Sequence, residues 1–139
     1  MNDALSNAVT SAPAPEARKD RYRVSSLLVK KNGMTDEEFF TYWRDVHGPL
    51  FAGLEIVKKN LIKYEQVHYN NAFEKGVLAN GYAVPDFHGI AVFEAESFEK
   101  ILEIFDSEEY KRTVFLDEDK FIERSKCVFC PGSLVPYIG

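Results

Sequence analysis

Phe39-Phe40-Thr41-Tyr42-Trp43-Arg44-Asp45-Val46-His47-Gly48-Pro49-Leu50 is the stretch on which the reading of this chain turns. Thr35 and Glu38 precede it in the Ser/Thr-x-x-Glu arrangement, in which each side chain satisfies a free backbone donor at a helix N-terminus. Phe39, Trp43, Val46 and Leu50 follow the i, i+4, i+7 spacing of a buried helix face, with Phe40 and His47 on its flank. Gly48-Pro49 predicts that the helix stops near Val46. His47 then has two readings. At a helix C-terminus a protonated imidazole interacts well with the macrodipole; in a cavity the same ring, titrating near neutral pH, suits general acid/base work.

Outward from this helix, the rest of the domain falls into place. Tyr22 to Lys30 is β-prone and closes at the turn Lys31-Asn32-Gly33. After the motif, Leu54, Ile56 and Val57 mark a second amphipathic piece. It leads into Leu61 to Tyr69, an alternating strand that puts Tyr64, Gln66 and His68 on one face. Asn70 to Phe87 carries Asn80-Gly81 and Pro85 without a strong pattern, the kind of long connection that often serves as a lid. His88 to Phe93 reads as a third strand. A helix starting at Glu96 or Ser97 presents Phe98, Ile101, Leu102 and Phe105, a shorter one starts at Ser107, and Phe121 to Phe129 reads as the fourth strand.

The order β-α-β-β-α-β predicts an α+β fold of ferredoxin-like type, one antiparallel four-stranded sheet with its helices on one face. The other face would be bare, yet Leu27, Val29, Ile90, Val92 and the Tyr64/Gln66/His68 row supply side chains to both faces. Two sheets closing on each other in a homodimer would cover it. That arrangement places the expected cavity on the non-helical side of each sheet.

The chain of 139 residues fits one domain over 21–139, behind an Ala-, Ser- and Pro-rich tail over 1–20. The net charge of −5 is spread along the chain without a basic stripe, which argues against nucleic acid. No apolar run approaches the ~20 residues of a membrane span, and the N-terminus lacks the apolar region of a secretory signal, so a cytoplasmic protein without membrane partners is expected. Cys127 and Cys130 sit at the expected end of a strand, away from any helix N-terminus, and read as small apolar residues. A Gly-rich phosphate loop, a dinucleotide fingerprint and a metal-ligand cluster are all missing from the sequence, so no cofactor is expected.

Phe39 to Leu50 resembles the F-x-x-Y-W-x-x-x-H-x-P-L signature of the EthD family, within the dimeric α+β barrel superfamily. The resemblance extends from about Arg23 to Gly132, with Val84-Pro-Asp-Phe-His-Gly89 and Asp117-Glu-Asp-Lys-Phe121 in the expected order. It is strongest to small fungal EthD-domain proteins that tailor aromatic polyketides. It implies a cofactor-independent lyase, a dehydratase or decarboxylase acting on a small-molecule aromatic polyketide intermediate. An anthrone-type monooxygenase, a polyketide cyclase and a non-catalytic small-molecule-binding dimer are the alternatives, because a fold does not choose a chemistry.

All three histidines are expected near the cavity: His47 in the motif, His68 in the Tyr64/Gln66/His68 row, and His88 opening the third strand after the long connection. One would remove an acidic α-proton while another protonates the departing hydroxyl. Tyr42, Tyr64, Tyr69 and Tyr82 are candidates to bind substrate, and Asp45 is a weak candidate to orient His47, since i and i+2 diverge on a helix.

Overall fold

The structure, a computed structural model, describes residues 13–139. Four strands, β1 (Tyr22–Leu28), β2 (Leu61–His68), β3 (Gly89–Ala95) and β4 (Val128–Ser133), form one sheet in the order β2-β3-β1-β4 with every neighbouring pair antiparallel. This is the expected ferredoxin-like topology. Around the sheet run α1 (Asp36–Tyr42), α2 (Gly48–Ala52), α3 (Glu55–Asn60), α4 (Glu74–Ala79), α5 (Phe98–Asp106), α6 (Glu108–Arg112) and α7 (Val114–Glu118). The expected tail falls outside the described residues over 1–12. Beyond them, Arg18 pairs with Asp20 and its N–H bonds the Leu134 carbonyl at 2.8 Å, tying this end to the segment after β4.

The helix of the motif does not stop where expected. The capping box forms, with the Glu38 N–H donating to Thr35 Oγ1 at 3.1 Å and the Thr35 N–H to Glu38 Oε1 at 3.0 Å. Beyond α1, residues Trp43–His47 form a π-helical turn, closed by the Gly48 N–H on the Trp43 carbonyl, and the chain continues directly into α2. Pro49 enters as an early residue of α2, where its fixed φ is already helical.

The extra residue of the π turn rotates everything after it. Phe39 and Trp43 are fully buried as expected, but Val46 and Leu50 are 47% and 37% exposed, while His47 and Phe51 are 8% and 2% exposed. The buried face therefore runs Phe39, Trp43, His47, Phe51. His47 belongs to the interior of a continuous helical segment, not to a helix end.

Alternation divides the sheet. Val24, Ser26 and Leu28 of β1 pair with Phe93, Ala91 and Gly89 of β3, which pair in turn with Tyr64, Gln66 and His68 of β2, and this whole set shares the helical face. The core lies here, where Phe39, Trp43 and Phe51 meet Ile101 and Ile104 of α5 against Val24, Leu28, Ala91 and Phe93. Gly89 has no freedom to be anything larger. A Cβ there would lie 2.5 Å from Trp43 Cζ3, so the indole packs on the bare backbone of β3.

The opposite face carries Leu27, Ile90, Val67 and Val128 in adjacent register. At one end of it, Glu94 of β3 is only 1% exposed, held by Arg23 Nε at 2.8 Å and Arg21 Nη1 at 3.1 Å. Burial raises its proton affinity, but the two guanidinium groups outweigh that and hold the carboxyl below the usual range.

Three further expectations are corrected. Phe121 and Ile122 are buried core, but they form only an isolated bridge between Lys30 and Ile122, followed by a 3₁₀ turn over Arg124–Lys126, so β4 starts at Val128. Two core side chains in an otherwise irregular segment imitate a strand. Asn70–Phe87 holds a 3₁₀ turn over Asn71–Phe73, capped by the Asn70 side chain, and α4. In α5 the buried positions are Ile101 and Ile104, and Leu102 faces solvent.

Candidate functional site

A cavity of about 80 Å³ lies between the helical face of the sheet and the helices, with His47, Trp43, Phe51, Tyr64, Glu118 and Phe121 among its walls. This corrects the expected position on the non-helical side. The π turn supplies the reason, since it swings His47 inward over the sheet.

The His47 imidazole packs 4.6 Å from the Phe121 ring, and its Nδ1 lies 3.0 Å from Asp117 Oδ2. Asp117 is on α7. Its second oxygen, Oδ1, accepts a short hydrogen bond from the Tyr42 hydroxyl, and Lys120 Nζ stands 3.7 Å from the same atom. Burial, reinforced by the carboxylate, pushes the Tyr42 phenol up to about 12, so it remains a donor. The carboxylate can only accept, which makes Nδ1 the protonated nitrogen of His47. Nε2 then carries a free lone pair and makes no hydrogen bond among the described residues.

Burial in these apolar walls pulls the His47 pKa below its ordinary value, and the nearby Asp117 and Glu118 only partly oppose this. At pH 7 the ring is therefore neutral and able to take a proton. The imidazole is thus held in one tautomer by a carboxylate that is itself held by a phenol.

The structure separates the other expected histidines from this cavity. His68 and His88 line an open cleft on the far side of α1, with Asp36, Arg44, Tyr69 and Glu74. His68 stacks between Phe40 and Trp43 at centroid distances of 5.0 and 4.7 Å, with Nε2 2.8 Å from Gln66 Oε1. His88 Nδ1 accepts the Lys30 N–H at 3.2 Å. Burial lowers both pKa values, with the cations Arg44 and Lys30 adding to it.

Of the four tyrosines, Tyr64 lines the cavity beside His47 and Tyr42 serves Asp117. Tyr69 donates to Glu74 in the open cleft, and Tyr82 is 71% exposed and borders neither space. Asp45 pairs with Arg44 at the surface.

Asp117 was not among the expected site residues, though the sequence does carry a sign of it. Val114, Asp117 and Phe121 stand at i, i+3 and i+7 and are all buried, so an acidic residue occupies the apolar stripe of a short helix. A buried carboxylate in such a stripe needs a partner. Among the described residues, no group of three or more His, Cys, Asp or Glu side chains is placed to hold a metal ion, and no helix is long and apolar enough to cross a membrane.

The fold is a ferredoxin-like α+β sheet, with a carboxylate-held histidine between the sheet and its helices. Residues 31–125 match the EthD domain model, and the chain belongs to that family. Solved structures agree on the fold. An EthD family protein from Bacillus halodurans superposes with a TM-score of 0.58 at 13% identity, covering 83% of this chain and 99% of its own. A DABB family protein from Mesorhizobium loti gives 0.53 at 13% identity, over 84% and 97%. A dimeric ferredoxin-like protein of unknown function from Bacteroides fragilis gives 0.55 at 10% identity, over 86% and 100%. No curated protein matches the chain in sequence.

Proposed function

We propose that the chain is a cofactor-independent lyase in which His47 is the proton-transferring base. One observation carries this: the Asp117 bond at Nδ1 leaves the neutral Nε2 as the free basic atom on the wall of an apolar cavity. The substrate class that fits is a β-hydroxy or β-keto aromatic compound of polyketide type. Nε2 takes the acidic α-proton, the C–H electron pair forms an enolate, and collapse of the enolate expels the β-hydroxyl, which leaves as water with a proton returned by His47. Aromatisation drives the step. In the decarboxylation version Nε2 takes the proton of a β-keto carboxylic acid, the C–C electron pair forms an enolate as CO₂ departs, and His47 returns that proton to the enolate carbon.

The cavity is smaller than the ~150 Å³ that admits benzene, so only the reacting end of such a molecule enters it. Phe105, Tyr110, Glu118, Arg124 and Phe129 form a shared wall between the cavity and an outer apolar hollow of about 560 Å³ that also includes Phe115 and Leu116. The remaining rings of such a substrate occupy this hollow. Anaerobic incubation with compact aromatic β-hydroxy ketones, followed by mass spectrometry, is expected to show loss of water. Turnover only with oxygen consumption would replace this reading with an oxygenase, and binding without turnover would replace it with a carrier.

The chain is also proposed to act as a cytosolic homodimer, closing the face of Leu27, Ile90, Val67 and Val128 against a second copy. The apolar register on that face, with Val67 and Val128 exposed and Leu27 and Ile90 half-buried, and the dimeric state of the Bacteroides fragilis protein support it. Light scattering should return twice the chain mass, and a monomer mass at micromolar concentration contradicts it.

A further inference from the structure

Four side chains connect the cavity beside His47 to the open cleft through the sheet face. Tyr64, Gln66 and His68 stand in a row on β2, and Trp43 lies over them from the π turn. Gln66 Nε2 donates to the Trp43 carbonyl at 2.9 Å and to the Tyr64 hydroxyl oxygen at 3.3 Å, while Gln66 Oε1 lies 2.8 Å from His68 Nε2. These contacts leave the amide one orientation. Turned over, it would press Oε1 against the Trp43 carbonyl, so the oxygen must face His68, and His68 must carry its proton on Nε2. The glycine of the motif is part of this arrangement, because a Cβ on Gly48 would lie 2.6 Å from Gln66 Nε2.

The consequence falls on Tyr64. A phenol has one proton and two lone pairs, and Gln66 already donates to the oxygen. Burial raises the Tyr64 pKa, with Gln66 and Trp43 partly opposing it, and the Trp43 indole N–H is buried without a hydrogen-bond partner among the described residues. The Tyr64 proton finds no acceptor among the described residues, and Tyr64 is a wall of the cavity that also holds His47.

We infer that Tyr64 is the second catalytic group of the site, a fixed hydrogen-bond donor to the carbonyl oxygen of an enolisable substrate, and that His68 is a positioning residue acting on it through Gln66. This rests on the reading of His47 as the base. As Nε2 of His47 takes the α-proton, the C–H pair moves onto the carbonyl oxygen, and the Tyr64 O–H stabilises the enolate oxygen without giving up its own proton. When the enolate collapses and the β-hydroxyl leaves with the proton carried by His47, the carbonyl is restored and Tyr64 is unchanged. The substrate class is thereby narrowed to compounds whose acidic C–H is adjacent to a ketone or aldehyde carbonyl.

The test uses p-nitrophenol, whose phenolate oxygen mimics the enolate while its ring extends toward the outer hollow, and whose absorbance reports ionisation. The full-length protein is expected to bind the phenolate and to lower the pKa of the bound dye. Tyr64→Phe should weaken phenolate binding about tenfold. His68→Phe keeps an aromatic ring between Phe40 and Trp43 but removes the N–H, and should raise the bound dye's pKa with several-fold weaker binding at an unchanged circular dichroism spectrum. Gln66→Leu should reproduce the His68→Phe shift. Wild-type affinity and dye pKa in Tyr64→Phe, or no dye binding by the parent protein, overturns the assignment of Tyr64. An unshifted dye in His68→Phe overturns the role of His68. The base reading fails separately, through unchanged turnover in His47→Gln.

Discussion

Replacing His47 by Gln is expected to lower kcat by 10²- to 10⁴-fold, the usual contribution of a positioned acid/base group, while KM and the melting temperature stay near those of the parent. Glutamine approximates the volume of imidazole, so the cavity keeps its wall, and Asp117 keeps the Tyr42 hydroxyl as a partner. What disappears is a lone pair with the affinity for a proton. The loss corresponds to about 3–5 kcal/mol of transition-state stabilisation. Because burial lowers the His47 pKa, kcat/KM of the parent should rise to its plateau through a midpoint below the ordinary ~6.5 of histidine, and this limb should be missing from the variant's profile. Steady-state kinetics on the dehydration substrate across pH 5–8 checks both. A variant within threefold of the parent would remove His47 from the mechanism.

Trp43→Ala should be the most damaging single substitution for stability, at about 3–5 kcal/mol. Trp43 is fully buried, packs 5.6 Å from Phe39, stacks 4.7 Å from His68, and lies on the bare backbone of Gly89. Truncation leaves a void bordered by β3 backbone, which cannot move inward without breaking pairing to both neighbouring strands. Set against a typical total of 5–15 kcal/mol, the loss is a large share of what holds such a domain folded. Urea unfolding followed by tryptophan-independent circular dichroism measures it, and Trp43→Phe should recover part of the loss. A cost under about 1 kcal/mol would contradict the packing described here.

Most of the fold is legible in the sequence because strands and helices write their periods into it. The capping box at Thr35 and Glu38, the alternation of β2 and the order of elements all lead to the observed sheet. Two features are not written in a local period. The π turn shifts the buried positions from Val46 and Leu50 to His47 and Phe51, and a helical reading at 3.6 residues per turn has no means of inserting the extra residue. Strict spacing by four through Phe39, Trp43, His47 and Phe51 is its only trace. The pairing of His47 with Asp117, which lies 70 residues further on, is long-range. Asp117 stands out only as a charge within an apolar stripe. The histidine motif, the tyrosine row and the carboxylate are each visible alone, but only the folded chain separates His47 from His68 and His88.

The central claim is that His47 is a neutral base fixed in the Nδ1–H tautomer by Asp117. Imidazole nitrogen NMR on selectively labelled protein, followed from pH 8 to pH 4.5, measures tautomer and proton affinity together. The structure predicts an Nδ1–H tautomer at pH 8 and a midpoint below ~6.5. By linkage the unfolded chain then takes up the proton first as pH falls, so stability from this group is complete above that value and lost below it. An Nε2–H tautomer, or a midpoint at or above 6.5, would contradict the account.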